Sequence, residues 1–522
     1  MTEKTKTLAL LLLPVLFSAF TLFYNLGDRT LWGDEAETAL LAQNITKFGV
    51  PQVDDGKNYI TLFGDGVDSN DEGLWTWSPW ADEYMTAASF VIFGTNTWAS
   101  RLPSALFGLL SVLLLGWMVQ TVFQKKELTL LTLLLFVTNV VFILHARQCR
   151  YYGFAFFIQI GFLFGLYELL KGRSWAGIAW VALFLGLQFN SNYVLSIPNY
   201  LVLPLTGILF YKKQPRLVRD TLIAFGLGSI FAAAWLLYAK PWGQSQEVGF
   251  NHFGLKLPFY LMEINFHIIP LVVFLIPVAA FVFSKIKKTE WQFPINNVLA
   301  RQFTLILCAW VPLQLLTLAV RPGLFFRYVI TMIPVLALLA AIILIYYISI
   351  KWLRWSLMAV LCLTNVLSEI SWPWDEQHTL QTPIFTYLRE VTTPYENSTE
   401  NIIEFFKNNA SPDQSVLSQD PEFPLIFHTG MKIIDVRLYP DVQMDNLPDW
   451  ILPETATGLM HIHDLALPPQ IVEFYEPVVL KVRNSPRGDT RPYPDERASF
   501  TATDFRDYKI YRKKKLVQGN PN

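Results

Sequence analysis

Two adjacent carboxylates, Asp34 and Glu35, follow Trp32-Gly33 shortly after the first apolar run of the chain. A carboxylate so placed accepts the proton of an attacking hydroxyl. Read alone, the pair is more commonly just favourable charge at a helix start. A second set is basic. Arg101 opens an apolar run in Arg-Leu-Pro-Ser. His145, Arg147 and Arg150 stand with Tyr151 and Tyr152 between two further runs, and Arg321, Arg327 and Tyr328 between two more. Guanidinium groups clamp phosphate through paired donors and stabilise an oxygen that gains charge as a bond breaks. Singly, each arginine is equally a side chain reaching for lipid headgroups. Arg147, Arg150 and Arg327 together point to an anion site, and with Asp34–Glu35 they supply a base and a phosphate clamp. A third set, Asp54, Asp55, Asp65, Asp68, Asp71 and Glu72, offers oxygen ligands of the kind calcium or magnesium takes. Its order does not fit an EF-hand, and it reads as a solvated acidic loop. No metal site is assigned and no cofactor is firmly implied; a divalent cation stays an option.

These residues need elements to hold them. The 522 residues carry 41 basic and 42 acidic side chains. Residues 1–370 hold 46 of these charges and residues 371–522 hold 37, so only the second stretch reaches the soluble level of about a quarter. Length alone would suggest about three soluble domains; the charge distribution excludes that. The fold class is an α-helical polytopic membrane protein with a soluble C-terminal α/β domain. A net charge of −1 gives no electrostatic basis for nucleic-acid binding. Cys149, Cys308 and Cys362 make neither a disulfide framework nor a zinc set.

Apolar runs of about 20 residues cross a bilayer as helices. Such runs lie near 8–26, 97–123, 128–145, 153–170, 174–190, 193–211, 219–238, 263–284, 298–320, 326–350 and 353–371, giving eleven spans. Lys4/Lys6, Lys125–Lys126, Lys171/Arg173, Lys212–Lys213 with Arg216 and Arg219, Lys285/Lys287–Lys288 and Lys351/Arg354 then fall on one side, which marks it as cytoplasmic. The N-terminus is expected there and the C-terminal domain on the outer face. The first run has the basic start and apolar core of a signal peptide. It lacks a small-x-small cleavage pattern before Gly27, so an uncleaved first helix is expected.

The expected domains are 1–371, a membrane part that includes the outer loop 27–96, and 372–522, an outer-face α/β domain. Within the loop, 34–48 puts Ala36, Ala39, Leu40 and Phe48 near one helical face, and 80–93 is a second amphipathic stretch; both suit helices lying in the membrane interface. In the C-terminal part a helix is expected over 399–409, capped by Ser398 or Thr399. Strands are expected at 415–418, 432–436, 450–452, 474–482 and 505–511, with a helix over 423–430. This part has no phosphate-cradling glycine loop and no nucleophile elbow. Arg487-Gly488-Asp489 is read as a chance tripeptide, and the sequons at Asn44 and Asn397 mean little without a known host.

The order of short motifs carries a resemblance: Gly33-Asp34-Glu35-Ala36 with Ala39 and Ala42; Phe93-Gly94 leading to Arg101-Leu102-Pro103-Ser104-Ala105; Ala146-Arg147-Gln148 with Arg150 and Tyr151; and Phe326-Arg327-Tyr328 through Pro334. Over roughly residues 8–350 the chain resembles the GT-C membrane glycosyltransferases, in particular the bacterial branch with protein O-mannosyltransferases and the lipid A aminoarabinose transferase. The Phe-His-Thr-Gly segment at 427–430 extends this loosely to the outer-face domain of such proteins. The resemblance implies inverting transfer of a sugar from a polyprenyl-phosphate carrier to a hydroxyl of a lipid, glycan or protein, on the outer face of a bacterial inner membrane. It makes Asp34 the base with Glu35 its neighbour. It gives the carrier phosphate to Arg147, Arg150 and Arg327, with Tyr151, Tyr328 and Arg101 in the same donor site. The chain departs from the aminoarabinose transferases where they carry Lys-Pro-Pro: it has Trp77-Ser78-Pro79-Trp80. Donor and acceptor identity therefore do not carry over from that subgroup.

The alternative is a transporter or flippase of a lipid-linked anion, using the same arginines. Such proteins show internal repeats, broken helices and polar residues at the midplane. No repeat stands out here, and the polar residues gather at one face. A scaffold whose outer domain binds a partner leaves the arginines and carboxylates unexplained.

Overall fold

The computed structural model describes residues 3–62, 67–172, 174–240, 253–289, 293–321, 324–372, 380–394, 396–418, 422–435, 447–453, 473–483 and 505–514. In chain order its helices are α1 (Glu3–Phe23), α2 (Gly33–Phe48), α3 (Ala81–Phe93), α4 (Thr97–Phe123), α5 (Lys126–Val137), α6 (Val140–Ala146), α7 (Tyr152–Leu170), α8 (Ser174–Ser191), α9 (Tyr193–Phe210), α10 (Pro215–Ala239), α11 (Phe253–His267), α12 (Leu275–Ile286), α13 (Val298–Ala319), α14 (Met332–Tyr347), α15 (Lys351–Leu363), α16 (Val366–Ser371), α17 (Pro383–Thr392), α18 (Ser398–Asn409) and α19 (Phe423–Thr429). The strands are β1 (Ser415–Ser418), β2 (Lys432–Asp435), β3 (Trp450–Ile451), β4 (Tyr475–Arg483) and β5 (Phe505–Lys513). Two compact units result. One comprises Met1–Asn25, Ser78–Asp82 and Leu102–Thr392; the other comprises Leu26–Trp77, Glu83–Arg101 and Thr393–Asn522.

The first unit is a helical bundle of a multi-pass membrane protein. Among the described residues α4, α7, α9, α10 and α13 are each long and apolar enough to cross a membrane, and counting each of two bent pairs as one span gives up to seven. The expected runs near 8–26, 174–190 and 326–350 hold shorter apolar helices. The runs 128–145 and 263–284, expected as continuous, are broken. α5 and α6 meet at 64°, and α11 meets the segment Leu271–Ile286 at 99°. Pro270, in extended conformation, lacks the N–H a continuing helix needs. The two breaks are tied together: the Asn139 side chain accepts from Phe142 N to start α6, and its amide donates to the His267 and Ile268 carbonyls, each at 3.1 Å. Run 353–371 also divides, into α15 and α16. α7 runs through the middle, buried along nearly its whole length. At Gly153 a side-chain carbon would come within 1.9 Å of the Ser104 carbonyl, so glycine lets α7 close against α4.

The second unit is built on a five-stranded sheet of order β2-β1-β3-β5-β4. β1 is parallel to β2 and β3, and β5 is antiparallel to β3 and β4. Leu417, Leu447, Ile451 and Tyr475 form a core on it. α18 buries Ile402, Ile403 and Phe406, with the Phe406 ring 5.5 Å from that of Trp450. Its cap is Asn397, one residue before those expected, in a reciprocal box with Glu400. Strands and helices here lie within about two residues of their sequence positions, the usual uncertainty of element ends.

The stretch Leu26–Trp77 packs with this sheet. Lys57 Nζ donates to the carbonyls of Pro412 and Gly430. The Asn58 side chain donates to Met431 O and accepts from Ile433 N, pairing like a strand residue on the β2 edge. α2 differs from the amphipathic expectation: Glu35, Glu37, Thr38 and Asn44 are buried along with Ala36, Ala39 and Leu40, while Phe48 is half exposed. α3 keeps an exposed apolar tip, Val91-Ile92-Phe93, which suits an interface. Asp68, expected in solvent, is fully buried and accepts from Thr61 Oγ1 at 2.9 Å and Leu62 N at 2.5 Å. Asp54 and Asp55 close tight turns on Gly56 N, Lys57 N and Asn58 N. Asp65 and Arg487-Gly488-Asp489 lie outside the described residues. Among the described residues no group of three metal-type side chains converges. Asn44 and Asn397 are both about 1% exposed and hydrogen-bonded, so neither presents its amide for glycosylation.

Candidate functional site

In the bundle, two connections deliver the basic residues. The first follows α6. His145 closes that helix with Nδ1 donating to the Val141 carbonyl at 2.9 Å, and the chain turns through Gln148 and Arg150 into α7. Tyr151, at the head of α7, is 5% exposed, and its hydroxyl has no partner among the described residues. Burial pushes its phenol well up, as do Tyr152 and Tyr328, against the pull of Arg327 and Arg150. It stays a proton donor.

The second connection joins α13 to α14. A 3-10 turn over Phe326–Tyr328 is anchored by Phe326, fully buried between the rings of His267 at 5.5 Å and His145 at 6.1 Å. Gln314 of α13 donates to the Tyr328 carbonyl at 2.9 Å. The Arg321 guanidinium lies 4.0 Å from the centre of the Tyr328 ring and Arg327 lies 5.9 Å from it. Burial alone would raise the Tyr328 phenol, but Arg321, Arg327 and Arg150 outweigh it and hold the group below its ordinary value of 10.0. Arg150, Arg321 and Arg327 thus converge on a buried pair of tyrosines. Such a concentration of guanidinium and phenol donors binds an anion.

Arg147 behaves differently. Its guanidinium caps the C-terminal end of α1, donating to the carbonyls of Thr21, Leu22, Tyr24 and Asn25 at 2.7–3.1 Å. That answers the unpaired carbonyls of a helix end. Arg321, named in the sequence beside Arg327 but left out of the favoured trio, is the residue that lies closest on Tyr328.

In the sheet-bearing unit, Asp34 and Glu35 occupy the first turn of α2. Glu35 is fully buried and takes two bonds from Arg101, at 2.8 and 2.7 Å. The remaining Arg101 donors go to the carbonyls of Leu26, Arg29 and Thr30. All five guanidinium N–H groups are therefore engaged, and Arg101 is a brace for the 26–35 segment. Asp34, next to Glu35, is half-buried. The same segment is held from the C-terminal side: Thr30 N donates to Glu400 at 3.2 Å, and Leu31 N donates to His428 Nε2 at 3.2 Å. Burial, with Lys407 and Arg101 nearby, lowers His428 to about 3, so the ring is neutral and Nε2 accepts. Sequence reading found the Asp-Glu pair and the arginines; the carbonyl groups that claim Arg101 and Arg147 lie in other elements and leave no local signal.

Neither a protein-family model nor a curated protein sequence matches the chain. Solved structures do. ArnT from Cupriavidus metallidurans bound to undecaprenyl phosphate aligns with 83% of this chain and 86% of its own, at 12% identity and a TM-score of 0.52. The same protein in the apo state aligns over the same shares at 13% identity and a TM-score of 0.50. The chain shares their fold, the GT-C fold implied by its motif order.

Proposed function

We propose that this chain is an integral-membrane glycosyltransferase that moves a sugar from a polyprenyl-phosphate carrier to an acceptor hydroxyl. The observation that carries the reading is the convergence of Arg150, Arg321 and Arg327 on buried Tyr151 and Tyr328. A chain of this fold has been seen with undecaprenyl phosphate, in ArnT, which is support for a lipid-linked donor here.

In this mechanism the acceptor oxygen attacks the anomeric carbon with inversion. The new C–O bond forms as the bond to the phosphate oxygen breaks, and its electron pair leaves with the phosphate. Asp34 takes the acceptor proton. Glu35 is committed to Arg101, which leaves Asp34 as the carboxylate of the pair for proton transfer. The arginines stabilise the charge gathering on the phosphate, with the Tyr151 and Tyr328 hydroxyls as added donors. Phosphate leaves readily, so no general acid is required. The basic clusters favour a cytoplasmic N-terminus in an inner membrane, an outer-face C-terminal domain, and chemistry on that outer face. Lipid, glycan and protein hydroxyls all remain acceptors of this type.

The experiment is transfer from a radiolabelled polyprenyl-phosphate-sugar pool in membranes, comparing wild type with Asp34→Asn. Label should leave the carrier only with wild type. A second reading, movement of a lipid-linked anion, draws on the 99° break after α11. Label that stays on the carrier in both preparations, across several sugars, would favour it.

A further inference from the structure

One face of α11 is polar. Lys256, Tyr260, Glu263 and His267 recur at intervals of three and four, which aligns them along the helix. That face meets the connection carrying Arg321, Arg327 and Tyr328. Lys256 Nζ donates to the Arg321 carbonyl, Phe325 N donates to the Tyr260 hydroxyl at 3.4 Å, and the His267 ring lies 5.5 Å from Phe326. The carboxylate of this face, Glu263, lies against His267 at 3.5 Å, two turns from Lys256.

Lys256 is 7% exposed, and no carboxylate bonds to it among the described residues. Arg321, whose carbonyl it holds, lies over the Tyr328 ring and hydrogen-bonds that residue's hydroxyl, while its Nη1 is buried with no hydrogen-bond partner among the described residues. A buried ammonium facing only a carbonyl is costly unless something anionic completes it. Lys256 and the half-buried Arg321 meet at the Arg321 backbone carbonyl, and with Arg327 and Arg150 near Tyr328 their charges exceed the single charge of a sugar phosphodiester. They suit the phosphate monoester left after transfer, whose second ionisation lies near pH 6.

We propose that Lys256 joins Arg321 as a further phosphate-binding residue of the donor site, so that the site fits the departing monoester dianion better than the donor diester. The proposal rests on the glycosyltransferase reading above. As the anomeric C–O bond breaks and its electron pair passes to the phosphate oxygen, the attraction of this pair grows, which is transition-state stabilisation. A lysine serving only to cap the C-terminal end of α13 would need a hydrogen-bond donor but no charge.

The test is equilibrium binding of tritiated undecaprenyl phosphate and of uncharged undecaprenol to the full chain in detergent. Lys256→Gln keeps a donor for the Arg321 carbonyl and removes the charge. It should weaken undecaprenyl phosphate by about ten- to a hundredfold, the span of a charge-assisted bond, and leave undecaprenol unchanged. Lys256→Arg should bind the phosphate lipid within a few-fold of wild type. Arg321→Gln probes the pair from its other member, with the same loss expected, and decides the matter if the Lys256 variants do not fold. Wild-type affinity for the phosphate lipid in Lys256→Gln or Arg321→Gln, or an equal loss of undecaprenol, would overturn the pair. A wild-type chain that does not prefer undecaprenyl phosphate to undecaprenol would instead overturn the donor reading itself.

Discussion

Glu35 and Arg101 stand 66 residues apart in the chain, yet their side chains meet through two bonds of 2.8 and 2.7 Å, with the carboxylate fully buried. The pair divides the labour of the Asp-Glu sequence. Glu35 is tied to a buried guanidinium, and breaking that pair would strand a buried charge. Glu35 serves the architecture, and the proposed mechanism gives the proton transfer to Asp34.

Asp34→Asn should therefore abolish most turnover while leaving the fold alone. Loss of a general base costs about 10²–10⁴-fold in rate. Transfer assays beside thermal melting in detergent check this, and full turnover in Asp34→Asn at normal expression would remove the residue from the mechanism.

Glu35→Gln should show the opposite balance. Breaking one side of a buried ion pair costs about 3–5 kcal/mol, so the melting temperature should fall sharply. Arg101→Lys should not rescue, because an ammonium has three donors where the guanidinium uses five. Removing Glu35 and Arg101 together should not restore stability either, since the Leu26, Arg29 and Thr30 carbonyls would lose their donor.

Arg147 and Arg327 should separate in the same manner. Arg147→Met leaves the end of α1 without its donors to four carbonyls. Each lost bond to a charged donor is worth about 1.5–3 kcal/mol at most, and the signature should be low folded yield with donor KM unmoved in whatever protein survives. Arg327→Gln, beside Tyr328, should raise donor KM and lower kcat with little change in melting. Kinetics and melting curves on both variants make the comparison; a raised donor KM in Arg147→Met would return that residue to the phosphate site.

His428 makes the 26–35 segment sensitive to acid. The neutral ring accepts from Leu31 N, and its folded value of about 3 lies far below the ordinary 6.5. The unfolded chain takes up a proton below 6.5 and the folded one does not, so stability is complete above that pH and declines as the pH falls from 6.5 towards 3. His428→Gln keeps an acceptor without titrating. It should flatten the melting temperature against pH across that window, and an unchanged slope would place the sensitivity elsewhere.

What the sequence reveals here depends on how local the cause is. The edges of β1, β2, β4, β5 and α18 follow from alternation, turn residues and capping types, all carried within a few neighbouring positions. The α18 cap shifts by one because Asn397, Ser398 and Thr399 are all capping residues; the tie to Glu400 decides among them. The break after α11 is harder to see, because Ile268-Ile269-Pro270 sits inside an apolar run whose hydropathy does not change. The arginines are hardest. Arg101, Arg147 and Arg327 look alike as cations at span ends, and only distant carbonyls, at Leu26 for one and Thr21 for another, separate a brace and a cap from a residue in the tyrosine cluster.

Tyr328 offers a spectroscopic handle on that cluster. Its phenol lies below 10.0 only because Arg321, Arg327 and Arg150 outweigh its burial. A bound phosphate neutralises part of that field and should raise the phenol again. By linkage, ionising Tyr328 must then weaken phosphate binding to the same degree. Donor KM should climb as the pH rises through the Tyr328 value in wild type, and stay flatter in Tyr328→Phe. Ultraviolet difference spectra supply the second readout: tyrosinate absorbance in the free wild-type protein should appear at lower pH than in Tyr328→Phe, and recede when undecaprenyl phosphate is added. If the lipid leaves the tyrosinate signal unmoved, the phosphate does not sit among these arginines, whatever the enzyme transfers.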